Sequence, residues 1–141
     1  LHAVVRQVIS REQAARTAKD VWKFRGQDPD DPETWYGEQR GIMVEMYHSQ
    51  AQWDNRTNPR VHQAFSQIHG TERLWVSHDR VSINPPSKNP DAPENNLHWD
   101  HGIRLQSVTE AKESRPISGS LQGVLYLVDT PEANGAFVRP A

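Results

Sequence analysis

Apolar residues recur at helical spacing early in the chain and at strand spacing later. Ala14, Ala15, Ala18, Val21 and Trp22 make one apolar stripe, which predicts a helix of about four turns. Ser10 precedes it as an N-cap, Gln13 completes a capping box, and Gly26 ends it. Ahead of it, Val4, Val5, Val8 and Ile9 predict a short strand. A second helix starts at the Asn58 cap with Pro59 in its first position. Val61, Ala64, Phe65 and Ile68 repeat at helical spacing, and Gly70 stops it. Residues 27–41 are rich in turn formers and predict a loop, whereas 42–48 fit a helix or a strand.

From Leu74 to Ile83 the pattern alternates as in a strand. Trp75, Val81 and Ile83 share one face; Leu74, Val76, His78, Arg80 and Ser82 share the other. Pro85 and Pro86 end it, and residues 87–96 read as loop. A short strand follows at Leu97–Gly102, then a polar stretch over 106–120 without a clear period. Gly123–Val128 is apolar at nearly every position and predicts a strand buried on both faces. Pro131–Gly135 reads as a turn, and Ala136-Phe137-Val138 begins another strand. Helices first and strands afterwards predict a mainly β fold with flanking N-terminal helices, an antiparallel sandwich or barrel.

Composition narrows the function. The 141 residues suit one modest domain, with a helical part over about 1–70 and a β core over about 74–141. A hydrophobic share of 35% warns of a thin core, while five Trp argue against disorder. The net charge of −2, with signs intermixed, lacks the basic stripe that nucleic-acid binding needs. The absence of cysteine excludes disulfides and thiolate zinc sites, and a cytoplasmic location is expected. No run of 18 apolar residues predicts a membrane span, and no signal-peptide pattern opens the chain. It lacks an initiator Met and is expected to begin inside a longer protein. Gly-rich phosphate loops and G-x-S-x-G elbows are missing as well.

The candidate chemistry centres on Leu97-His98-Trp99-Asp100-His101-Gly102. In a strand, residues two apart share a face, so His98 and Asp100 would converge as an imidazole beside a carboxylate. Those are two members of the two-His, one-carboxylate set that holds Fe(II) with positions left open. The plain alternative is a pair of surface residues. His101 faces the other way in a regular strand and reads as a surface or supporting residue. Tyr47, His48, Trp53 and Arg56 form a polar–aromatic group that lines a substrate mouth, or else packs helices around a solvated Arg. His62 and His69 read as surface residues on the second helix, and Arg80 as a salt-bridge partner of a loop carboxylate.

An ordered set of motifs carries a resemblance. It runs Glu45-Met46-Tyr47-His48, Trp53-Asp54-Asn55-Arg56 and Asn58-Pro59-Arg60-Val61-His62. It continues through Gly70-Thr71-Glu72-Arg73-Leu74-Trp75-Val76-Ser77, Asp79-Arg80-Val81 and Pro85-Pro86. Leu97-His98-Trp99-Asp100 and Gln122-Gly123-Val124-Leu125-Tyr126-Leu127 with Asp129-Thr130 complete it. In this order the chain resembles bacterial and fungal members of the phytanoyl-CoA dioxygenase family, from about Val4 to Phe137.

The resemblance implies a double-stranded β-helix (jelly-roll, cupin-like) fold. It implies Fe(II) and 2-oxoglutarate as cofactor and cosubstrate, and O₂ with a small organic molecule as substrates. His98 and Asp100 would be metal ligands. His78, Gln122 and Tyr126 would lie near 2-oxoglutarate, and Tyr47 and Trp99 near the substrate. The family's distal His and 2-oxoglutarate-binding Arg lie beyond a segment like Gly135-Ala136-Phe137. The chain is therefore expected to be the N-terminal part of an oxygenase, with C-terminal strands missing and no turnover by itself. The competing expectation is a non-catalytic jelly-roll binding module, or a relative that keeps the motif without the metal.

Overall fold

A computed structural model describes residues 3–37, 42–89, 123–131, 134 and 136. The chain divides into two compact units, Leu1–Pro86 with Tyr126–Ala141, and Ser87–Leu125. Among the described residues, the first unit holds α1 (Arg11–Arg25), a 3₁₀ turn (Pro32–Tyr36), β1 (Met43–Val44), α2 (Gln50–Arg56), α3 (Pro59–His69) and β2 (Val81–Ser82). In the second unit, Ser87 Oγ accepts from Asn89 N at 3.1 Å and donates to Asn89 O at 3.0 Å, a local turn.

The predicted helix ends stand. Ser10 Oγ accepts from Gln13 N at 3.1 Å, while Ser10 N donates to Gln13 Oε1 at 3.1 Å. These bonds satisfy amides that a helix start leaves without partners. The Ser10 side chain also bonds the Glu12 carboxyl and holds it below the usual carboxylate range. Gly26 and Gly70 close α1 and α3 in the left-handed region, at φ of 64° and 66°. The buried line of α1 differs from its apolar stripe in one respect. Thr17 and Val21 are buried, whereas Ala15 is exposed. Thr17 is accepted inside because its hydroxyl donates to Gln13 O at 3.0 Å.

The core is small. Val21 of α1 packs with Val44 and Met46, and the half-buried Val81 and Ile83 lie against them. β1 and β2 pair antiparallel, Met43 opposite Ser82 and Val44 opposite Val81. Ile83 N extends the pairing to Ile42 O at 2.9 Å. Val81 and Ile83 face the core as the alternation predicts, but Trp75 on the same predicted face is 99% exposed. The pairing starts only at Val81, and an unpaired segment has no pleat to hold alternate side chains inward. Val124 and Val128, predicted to be buried on both faces, are 63% and 68% exposed. Double-sided burial needs strands alongside, and the described residues around them form no ladder with a neighbour. The 27–41 loop contains the 3₁₀ turn, started by Asp31 accepting from Glu33 N at 3.1 Å. Trp35 lies 5.8 Å from Trp22, and its Nε1 donates to Asp28 O at 2.8 Å. No helix among the described residues is long and apolar enough to cross a membrane.

Candidate functional site

Helix α2 is too short for an apolar period, and its position is fixed by polar bonds instead. The Ser49 hydroxyl caps it, accepting from Gln52 N at 3.4 Å and donating to the Asp20 carboxylate of α1. Gln52 Nε2 donates to Met46 O at 3.0 Å, inside the protein. Arg16 pairs with Asp54 at 2.6 Å, and Gln50 Nε2 donates to the same carboxylate at 2.7 Å. Deepest of all, Asn55 Nδ2 donates to Thr17 Oγ1 at 2.8 Å. Asn55 Oδ1 is buried there without a partner among the described residues. Asp20 stands three residues from Thr17 and four from Arg16, so the three line the face of α1 that carries α2.

On α2 and the segment before it rests an open pocket of about 340 Å³. Tyr47, His48, Ser49, Trp53, Arg56 and His78 line it. The structure thus gathers the polar–aromatic group expected at a substrate mouth and adds His78, expected near a cosubstrate. The His78 ring lies 5.3 Å from Trp53 and 5.9 Å from His48, and Tyr47 lies 6.4 Å from His48. Arg56 is not a solvated cation. Its Nη1 donates to Tyr47 O at 3.1 Å and its Nη2 donates to Asp79 O. One planar guanidinium thereby joins the chain entering α2 to the chain entering β2, and holds His78 one residue from an anchored carbonyl.

A larger cavity of about 450 Å³ lies at the end of α3, between His62, Gln63, Ser66, Gln67, Thr71 and Glu72. Its imidazole is engaged with Glu72 O at 3.0 Å, in the turn that closes the helix. Among the described residues it gathers no second ring or cation, so the Tyr47–His78 pocket is the better candidate site. His62 and His69 are exposed on α3, and Arg80 Nε lies 3.7 Å from Asp79 Oδ1. Both match the plain readings of these residues.

Among the described residues no group of three or more His, Cys, Asp or Glu converges to hold a metal ion. His98, Trp99, Asp100, His101 and Gln122 lie outside the described residues. Tyr126 is 43% exposed and is not among the described residues that line the pocket. Sequence reasoning missed α2, Thr17 and Ser49. The signal for α2 was present, because Ser49-Gln50-Ala51-Gln52 repeats the Ser-x-x-Gln box of Ser10 and Gln13.

The chain is 28% identical to a curated protein of Dictyostelium discoideum described as "Putative phytanoyl-CoA dioxygenase", over 95% of this chain and 50% of that protein. It thus spans about half the length of the curated relative it matches. No family model matches the chain. No solved structure matches it. The likeness falls on the same family that the ordered motifs resemble, at a distance.

Proposed function

We propose that the chain belongs to an Fe(II)- and 2-oxoglutarate-dependent dioxygenase that hydroxylates a small organic molecule with O₂, on a double-stranded β-helix fold. One observation carries the reading. The likeness to the Dictyostelium dioxygenase runs over 95% of the chain, in agreement with the ordered motifs. His98 and Asp100 would hold the iron, and an imidazole nitrogen with a carboxylate oxygen suits Fe(II). Bound iron and 2-oxoglutarate supply the oxidising chemistry, with succinate and CO₂ as coproducts. The other roles belong to this chain's own side chains. Tyr47, Trp53 and Trp99 cover the substrate and keep water from it. His78, Gln122 and Tyr126 attend the cosubstrate. Arg56 keeps the two walls of the pocket at a fixed separation. A cysteine-free chain suits a reducing compartment such as the cytoplasm.

The test uses the full gene product that carries these residues. Anaerobic addition of Fe(II) and 2-oxoglutarate should give a weak visible band near roughly 500–530 nm, from a metal with open positions. Admission of O₂ should release succinate, and His98→Ala or Asp100→Ala should abolish both signals. Succinate formation that is absent, or that is unchanged in Asp100→Ala, overturns the reading.

A further inference from the structure

We infer that the pocket on α2 takes a planar aromatic ring that carries no positive charge, and that this ring is the portion of the substrate the described residues recognise. Calling that ligand the substrate rests on the oxygenase reading; ring binding itself rests on the pocket.

Four rings bound the space: Tyr47, His48, Trp53 and His78. Neighbouring rings are tilted by 51°, 61° and 50°, at centroid distances of 6.4, 5.9 and 5.3 Å. At such tilts the rings touch without covering one another's faces, as parallel offset rings would. Faces are left over for a ligand. Trp53 is 39% exposed, and His48 and His78 are exposed too. A fifth ring system stacked there would gain about 0.5–1.5 kcal/mol beyond its buried area, which an aliphatic chain would not. The volume of about 340 Å³ holds one ring system with its substituents.

Charge decides between ring classes. Aromatic walls attract cations, so a quaternary or primary amine would be the first guess. Among the described residues that line this pocket none is Asp or Glu and the one permanent charge is the Arg56 guanidinium; the nearby carboxylates are already engaged, Asp54 by Arg16 and Gln50 and Asp20 by Ser49. A ligand cation would meet like charge at close range. A guanidinium has five N–H donors, and two carbonyl bonds leave others for an anionic substituent. The geometry therefore favours a neutral or anionic ring.

Three probes of one shape test this: indole, indole-3-acetate and tryptamine, titrated into the metal-free full gene product and followed by NMR. Saturable shifts should appear at the Trp53 indole N–H and at the His48 and His78 ring protons for the first two probes. Tryptamine should bind at least about fivefold more weakly than indole-3-acetate, the sign expected beside a cation. Trp53→Leu should weaken indole binding about three- to tenfold. His78→Asn should also weaken it and guards against a folding artefact at Trp53. Trp75→Leu, at a residue that is 99% exposed and outside the pocket, should leave binding unchanged. Absence of saturable binding, tryptamine binding as tightly as indole-3-acetate, or full binding in both pocket variants overturns the inference. No iron, 2-oxoglutarate or O₂ is present, so this result and the succinate test fail independently.

Discussion

Thr17→Val isolates the bond that seats α2 on α1. Thr17 is 1% exposed, and valine has nearly its shape, so the substitution opens no cavity. What changes is the hydrogen bonding. The Thr17 hydroxyl accepts from Asn55 Nδ2 at 2.8 Å and donates to Gln13 O at 3.0 Å. Asn55 is 4% exposed and its Oδ1 already lacks a partner, so loss of Thr17 strands the whole amide. A stranded buried polar group costs about 1–3 kcal/mol, which places Thr17→Val near ~2 kcal/mol of destabilisation. Asn55→Leu should cost less, because the Thr17 hydroxyl keeps Gln13 O as its acceptor. Removing both partners leaves nothing unsatisfied, so the double variant should be more stable than Thr17→Val alone. The coupling should be on the order of 1 kcal/mol or more. Urea unfolding followed by circular dichroism reads this directly. With a slope of about 1–3 kcal/mol per molar, the midpoint should fall by about 1 M for Thr17→Val and recover at least half of that in the double variant. Additive single effects, or a Thr17→Val chain as stable as the native one, would refute the account.

Other outcomes follow from single contacts. Arg56→Lys replaces a fork with a point charge that cannot span Tyr47 O and Asp79 O, so the Trp53–His78 ring-to-ring NOE should weaken; an unchanged NOE rules out the clamp. Ser10→Ala should destabilise by about 1 kcal/mol through the lost cap. Asp129→Ala, which breaks a pair whose side chains are 87% and 85% exposed, should shift stability by less than about 0.5 kcal/mol, and calorimetry showing the reverse order would contradict both assignments. At Gly70 a Cβ would meet nothing within 4 Å, so Gly70→Ala should lose about 1 kcal/mol from its φ of 66° alone, and Gly70→Asn less.

Local signals were legible where chemistry and period agree. The Ser10 and Asn58 caps, the glycines at 26 and 70 and the apolar repeats between them determine α1 and α3. Helix α2 escapes a periodicity argument because its interior-facing residues include Gln52 and Asn55, buried through partners on other segments. Alternation over Leu74–Ile83 fixes a face only where a partner strand exists, at Val81–Ser82. Tyr47, His48, Trp53 and Arg56 stand close enough in sequence to be read as one group. His78 is brought to them by the bonds of the Arg56 side chain to Tyr47 O and Asp79 O, and no residue pattern encodes a carbonyl. The pair His98 and Asp100, legible as a motif, lies outside the described residues.

The short ladder between Met43–Val44 and Val81–Ser82 has a kinetic meaning. Every pocket residue lies on the loop that this ladder ties off. Closing such a loop costs roughly 3 kcal/mol of chain entropy, and two rungs recover little of it. The helices inside can form from contacts near in sequence, while the tie waits for ends that must find each other. The ladder is thus the drawstring of the pocket. A fluctuation that unzips it would spread Tyr47 from His78 and admit a ligand while α1 stays folded.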